Sequence, residues 1–211
     1  AKKFHIQTGE TVVSAKEKCP DLTLVPPNYD LYNKSSKALI KLLSEYTDKI
    51  EQYSIDEAFL DMTGCCDDSE RTAHEIKDRV HAQLGFTVNI GVSENKLLAK
   101  MASDFMKPDR VHTLWKSEIQ TKMWPLPVSE LFYVGHASLN KLRKLGIHTI
   151  GELAATDPGI LQAHMKSQGL LIWQYANGID ETAVIDTPPL AKGYGNSLTT
   201  PQDVTEPGIA K

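Results

Sequence analysis

Apolar positions along the chain repeat with two periods, and the two alternate. From Leu31 to Tyr46 the residues Leu31, Leu39, Leu42, Leu43 and Tyr46 share one face at helical spacing. Residues 50 to 62 then alternate apolar with polar, as one or two strands. Asp68 and Ser69 are N-cap candidates for a helix carrying Ala73, Ile76, Val80 and Leu84, which Gly85 stops. "FTVNIGV" places Phe86, Val88, Ile90 and Val92 on one side of a strand. Ser93 is positioned to cap the next helix, whose apolar face is Leu97, Leu98, Met101 and Phe105 and whose end is Lys107-Pro108. "RVHTLW", residues 110 to 115, reads as a further strand. Helices alternating with strands predict a sheet with helices packed on it, over about residues 29 to 117.

After "MWPLPVSEL" no strand signal remains. "HASLNKLRKLG" gives a short helix closed by Gly146. Thr149 and Glu152 stand at capping-box spacing. Asp157-Pro158 is an N-cap followed by a proline in the first helical position. "GLLIWQYANG" forms a last helix ending near Gly178. Residues 118 to 187 thus read as a small all-helical domain, and 188 to 211 as a linker with a short tail. Residues 1 to 28 are mixed in period and end in turn residues, "PPNYD" following.

The totals narrow this little. The 211 residues are 41% hydrophobic and 24% charged, which is ordinary globular composition. There is no apolar run long enough for a membrane span, and the N-terminus lacks the apolar core of a secretory signal. Cys19, Cys65 and Cys66 are odd in number and show no CxxC spacing, which fits a reduced, cytoplasmic protein better than a disulfide scaffold or zinc site. A net charge of -4 taken alone argues against a nucleic-acid partner.

One stretch does not fit a plain strand. In "EQYSIDEAFLDMTG" the acids Asp56 and Glu57 are adjacent, and neighbours on a strand point to opposite faces. They can share a site only if the chain turns or bulges there, as at a hairpin between 50–54 and 57–62. Two converging carboxylates make a hard oxygen site suited to Mg²⁺ with phosphate as co-ligand. On spacing alone, a solvent-facing turn with two acids is the favoured account.

The surroundings favour the first. "YSIDEAFLD", followed by "GFTVNIGVSENKLLAKMASDFMKPD", closely resembles the Y-family translesion DNA polymerases, the UmuC-like, ImpB/MucB/SamB group. The resemblance runs through nearly the whole chain. It implies an α+β fold: a palm-like antiparallel or mixed sheet with packed helices, plus an all-helical thumb with a helix-hairpin-helix. It divides the chain into the end of the fingers (1–28), palm (29–117), thumb (118–187), and linker with the start of a little finger (188–211).

The same resemblance implies roles. Asp56 would bridge two Mg²⁺ ions and Glu57 would ligate the one that activates the primer 3′-OH. Lys107 of the "KP" motif would reach the incoming dNTP triphosphate. Lys2 falls where many members carry an Arg on that triphosphate, and a Lys keeps the charge without the bidentate fork. Lys96 matches a basic residue near the DNA backbone. Val134, Gly135 and His136, in "FYVGHASLNKLRKLGI", would offer backbone N–H groups to a phosphate of the primer-template DNA. Two positions depart from the pattern: Tyr133 stands where many members have a first glycine, and His136 where a basic residue is common.

The expected activity is Mg-dependent, template-directed synthesis past lesions in bacterial DNA repair and the SOS response, with a sliding clamp as a partner of the full-length protein. The family's third acid lies on a strand upstream of the fingers, so this chain is expected to be an inactive fragment. The rival reading is a non-catalytic DNA-binding or interaction remnant of the same family. A palm-type nucleotide cyclase is disfavoured by the thumb-like hairpin. His74, Asp78 and His81 share a helix face at chelating spacing but read as solvated. Asp61 reads as a structural acid, and Trp115 and Trp124 as core or interface.

Overall fold

The computed structural model describes residues 1–187 together with 193, 195 and 197, so the expected linker and little-finger start, 188–211, lie almost wholly outside the described residues. It is an α+β fold of eight α-helices and four short strands among the described residues. The helices are α1 (Val12–Lys18), α2 (Tyr29–Leu43), α3 (Ser69–Leu84), α4 (Lys96–Asp104), α5 (His136–Lys144), α6 (Ile150–Ala155), α7 (Pro158–Met165) and α8 (Ser167–Ala176). The strands are β1 (Ile50–Gln52), β2 (Ala58–Leu60), β3 (Ile90–Val92) and β4 (Val111–Thr113). Strands β1 and β2 pair antiparallel, with Ile50 opposite Leu60, while β3 and β4 pair parallel, with Ile90 opposite Val111.

Local chemistry explains most of these ends. Asp68 accepts from the Arg71 N–H to start α3, and Gly85 closes it in a left-handed conformation. Thr149 and Glu152 form the expected capping box of α6, and Asp157 caps α7 ahead of Pro158. Asp61 locks the foot of the β1–β2 hairpin. Its Oδ1 accepts from the Thr63 N–H at 2.9 Å and its Oδ2 from Lys49 Nζ at 3.1 Å.

The fold corrects four details of the sequence reading. The strand expected over 86–92 is paired only at 90–92, because residues 86–89 have no ladder partner among those described. Phe86 and Val88 still pack against the core formed by Leu42, Leu43, Ile76 and Val80, which explains their alternation. Asn95, not Ser93, caps α4; its Oδ1 accepts from the Leu98 N–H, while the Ser93 hydroxyl is turned to the Leu114 carbonyl. Helix α1 lies in the stretch read as irregular: the Thr11 side chain caps it, and the β-branched pair Val12 and Val13 hides its period. The hairpin ahead of α5 begins with a single 3-10 turn, Val128–Glu130, in place of a full first helix.

The main core does not respect the break in sequence pattern near residue 118. Leu97, Leu98, Met101 and Ala102 of α4 and Leu114 are buried in one cluster with Leu131, Leu142, Ile150, Leu153, Leu161 and Ile172. Full burial of each such Leu contributes about 2 kcal/mol of hydrophobic stabilisation. Helix α4 therefore ties the sheet region to the helical region. It also lies against β3 at backbone distance. A Cβ on Gly91 would sit 1.8 Å from the Ala99 carbonyl oxygen and 2.6 Å from the Ser103 nitrogen. Backbone atoms of a helix cannot give way as a side-chain tip can. No helix among the described residues is long and apolar enough to cross a membrane.

Two predictions follow from this packing. Gly91→Ala is expected to destabilise the fold by about 3 kcal/mol or more, read as a fall in the urea midpoint. A midpoint within error of the parent would contradict the close approach of α4 to β3. Hydrogen bonds from Thr63, then Lys49, hold the Asp61 carboxyl down from 3.8 to about 2. A lowered acid stabilises the fold above its unfolded pKa and loses that contribution as pH falls through the folded one. The stability gap between the parent and Asp61→Asn should thus be full at neutral pH and close between about pH 4 and pH 2. A gap that stays constant across that range would remove the role assigned to Asp61.

Candidate active site

The break in the strand at the acidic pair is a five-residue loop. Strand β1 ends at Gln52, and the N–H groups of Tyr53 and Ser54 both donate to the Glu57 carbonyl, at 2.9 and 3.1 Å. Asp56 therefore lies in the loop and Glu57 at its exit, just ahead of β2. The Ser54 hydroxyl donates to Asp56 Oδ1 at 2.7 Å and accepts from the Asp56 N–H at 3.3 Å, which holds the acid at the tip.

Both acids line one large cleft of about 1440 Å³, bounded by β2, β3, α4 and the segment 180–186. Lys96, Lys100 and Lys107 line it too. The acids do not share a partner. Asp56 faces Ser54, whereas Glu57 accepts from the Lys100 ammonium. Lys100 also reaches Asp104 Oδ2 at 3.2 Å, and Lys107 reaches Asp104 Oδ1 at 2.7 Å. The result is a continuous row, Glu57–Lys100–Asp104–Lys107, that runs along α4 and just past its end. Burial pushes the Lys100 ammonium down, but hydrogen bonds to Glu57 and Asp104 outweigh it and hold it above the ordinary lysine range. Burial would likewise raise Asp104, yet Lys107 and Lys100 together hold it below the usual carboxylate range.

The other residues singled out in the sequence are placed as follows. Lys107 is more than half exposed at the cleft rim, beside its bond to Asp104. Lys96 is largely buried: it bonds Glu51 at 2.8 Å and lies over the Phe59 ring at 5.5 Å. Lys2 is exposed in the opening 3-10 turn, Lys2–Phe4, and does not line the cleft. Gly135 is the N-cap of α5 with no capping side chain, so the first N–H groups of that helix are open, and His136 is exposed beside them. Val134, Gly135 and His136 lie outside the cleft. Tyr133, in the position read as a lost glycine, has φ 71°, a conformation that favours glycine. Its ring packs at 4.8 Å from Phe132 and 5.8 Å from Tyr175, which offsets that strain.

Three groups were missed in the sequence. Lys100 and Asp104 follow Lys96 at intervals of four, a polar stripe beside the apolar face Leu97, Leu98 and Met101. That spacing was legible. Tyr53 was not: its ring meets Phe59 at 5.6 Å and Phe132 at 6.2 Å, linking the acidic loop to the loop before α5. Burial first, and then the Tyr133 phenol, push the Tyr53 hydroxyl above the usual tyrosine range. Among the other polar groups, Asp78 pairs with Lys77 on an exposed helix face with His74 and His81, and Trp124 donates to the Ala176 carbonyl at 2.9 Å within the core region.

No three acids, histidines or cysteines converge on a point among the described residues. The donor set at the loop is nonetheless of the right kind for a hard divalent cation. It is two carboxylates, at a turn open to an aqueous cleft that no histidine lines and whose only sulfur-bearing lining residues are Met62 and Cys66.

This geometry has close relatives. The impB/mucB/samB family profile matches residues 1–104. A DNA polymerase IV of Clostridium acetobutylicum is 48% identical over 208 residues, which cover 98% of this chain and 52% of that one. DNA polymerase IV 1 of Bacillus subtilis is 42% identical, over 98% of this chain and 50% of its own. Among solved structures, DinB from Sulfolobus solfataricus superposes with a TM-score of 0.78 at 26% identity, over 88% of this chain and 56% of that one. The insertion ternary complex of Dbh DNA polymerase gives 0.76 at 27% identity, over 87% and 55%. The chain thus spans about half the length of the curated relatives it matches. With an acidic pair on a hairpin loop, a lysine row on the helix that follows, and likeness to these polymerases along nearly its full length, the chain belongs to the impB/mucB/samB family of Y-family DNA polymerases.

Proposed function

We propose that this chain is the palm and thumb portion of a translesion DNA polymerase, and that the loop 53–57 with the row along α4 is its nucleotidyl-transfer site. The observation that carries this reading is the placement of Asp56, Glu57 and Lys107 on one cleft. Asp56 and Glu57 would hold Mg²⁺, and Mg²⁺ bound there would lower the pKa of a primer hydroxyl and neutralise phosphate charge. The loop supplies geometry: the Ser54–Asp56 bonds fix one carboxylate while the β2 backbone fixes the other. Lys107 meets the triphosphate of the incoming dNTP as a mobile point charge on an exposed stem. The open N-terminus of α5 receives a backbone phosphate of the primer-template DNA, which positions the duplex without reading its sequence.

Lys2 and Lys96 are weaker members of this site. Lys96 in its pair with Glu51 serves the architecture of the cleft wall, and DNA contact by it would require that pair to open. Lys2 belongs to the triphosphate only if the opening 3-10 turn packs differently in a substrate complex. The two-ion site, the clamp partner and the cytoplasmic location are parts of the same proposal. So is the inactivity of the 211-residue chain on its own.

Primer extension by the full-length protein tests the reading. Asp56→Asn should lower kcat about 1,000-fold or more, with an unchanged melting temperature, because the side chain is on an exposed loop. A variant retaining a tenth of parental activity would overturn the assignment of Asp56. Lys107→Ala should raise KM for the dNTP about tenfold and change kcat far less, as expected for lost ground-state binding. Equal loss in kcat with KM unchanged would place Lys107 elsewhere in the reaction.

A further inference from the structure

We propose that Lys100 is a positioning residue that occupies Glu57 as a stand-in cation, yields it to the divalent ion, and then rests on Asp104. The inference deepens the cation-site reading of Asp56 and Glu57 and rests on it. An ammonium and a divalent ion compete for the same carboxylate oxygens. Lys100 already holds Glu57, and its side chain is only 15% exposed. A largely buried ammonium stripped of its partner is costly, and that cost would keep the ion out. Asp104 removes it, since its Oδ2 already lies 3.2 Å from the same ammonium. The displaced charge therefore moves between two oxygens that it touches in the starting state.

Asp104 has a second client. Its Oδ1 is 2.7 Å from Lys107, whose side chain is 56% exposed and able to swing toward solvent. When Lys100 leaves Glu57 for Asp104, Asp104 needs Lys107 less, and Lys107 is released toward a phosphate. The reverse holds equally: an anion that draws Lys107 away leaves Asp104 free to take Lys100, which loosens the hold on Glu57. Reciprocity is required of any such linkage, so ion and triphosphate each favour the other through three side chains on and just beyond α4.

The test uses the full-length protein on a primer-template ending in a dideoxynucleotide, so that no turnover occurs, with Mn²⁺ as the probe and bound ion read by electron paramagnetic resonance. Lys100→Met should bind Mn²⁺ about tenfold more tightly than the parent. Lys100→Arg should bind it several-fold more weakly, because the guanidinium fork grips a carboxylate with two bonds. A merely structural role would weaken binding in both. Lys100→Met with unchanged or weaker binding overturns the proposal, as does Lys100→Arg binding as tightly as the parent. If Lys100→Met melts early, Lys100→Gln makes the same comparison. Glu57→Gln separates the two levels: unchanged Mn²⁺ binding there defeats the cation site itself, whereas loss there without a gain in Lys100→Met defeats only the role of Lys100.

Discussion

Everything at the site depends on the contact between the backbone of β3 and the backbone of α4 at Gly91. With no Cβ in the way, the helix lies directly on the strand, and its rotation about its own axis is fixed. That rotation sends Leu97, Leu98 and Met101 into the main core and leaves Lys96 and Lys100 facing the cleft. A helix held further off the strand would be free to roll, and a roll of one residue's angle would exchange a core leucine for a lysine. The placement of charge is thus set by a steric condition at a residue that carries none.

The electrostatics make sense on the same scale. The chain is net acidic, yet the row that runs from Glu57 along α4 alternates acid and base. Such a row is neutral enough to tolerate partial burial, and in the proposed site it would offer a cation to a phosphate at one end and a carboxylate to a metal ion at the other. Overall charge therefore says little about the partner, because what a ligand meets is the local sequence of signs within a screening length of about 8 Å.

Much of this was legible in the sequence. The caps at Asp68, Thr149 and Asp157 and the stop at Gly85 are local chemistry, and they stand where the pattern put them. So is the turn at Asp56, since two adjacent carboxylates cannot share a site on an unbroken strand. What escaped depends on partners distant in sequence. Phe86 and Val88 alternate like a strand because they pack on a core, although no neighbour completes their ladder. Ser93 and Asn95 are equally good caps in isolation, and only the Leu114 carbonyl, 21 residues away, decides between them. Glu57 and Lys100 are 43 residues apart, so no spacing rule pairs them. The boundary between sheet and helical regions was visible as a change of period, but the period cannot show that α4 contributes to the core beyond it.

The segment after α8 returns to the cleft. Asp180 accepts from the Leu97 N–H at 3.1 Å, Asn95 donates to the Gly178 carbonyl at 3.0 Å, and the Ile185 N–H donates to Glu51 at 2.8 Å. The segment 180–186 therefore lines the cleft, although the helical region it has just left packs with the apolar face of α4. The bonds to Glu51, Asn95 and Leu97 fasten it to β1 and to the start of α4, so it moves with the cleft wall.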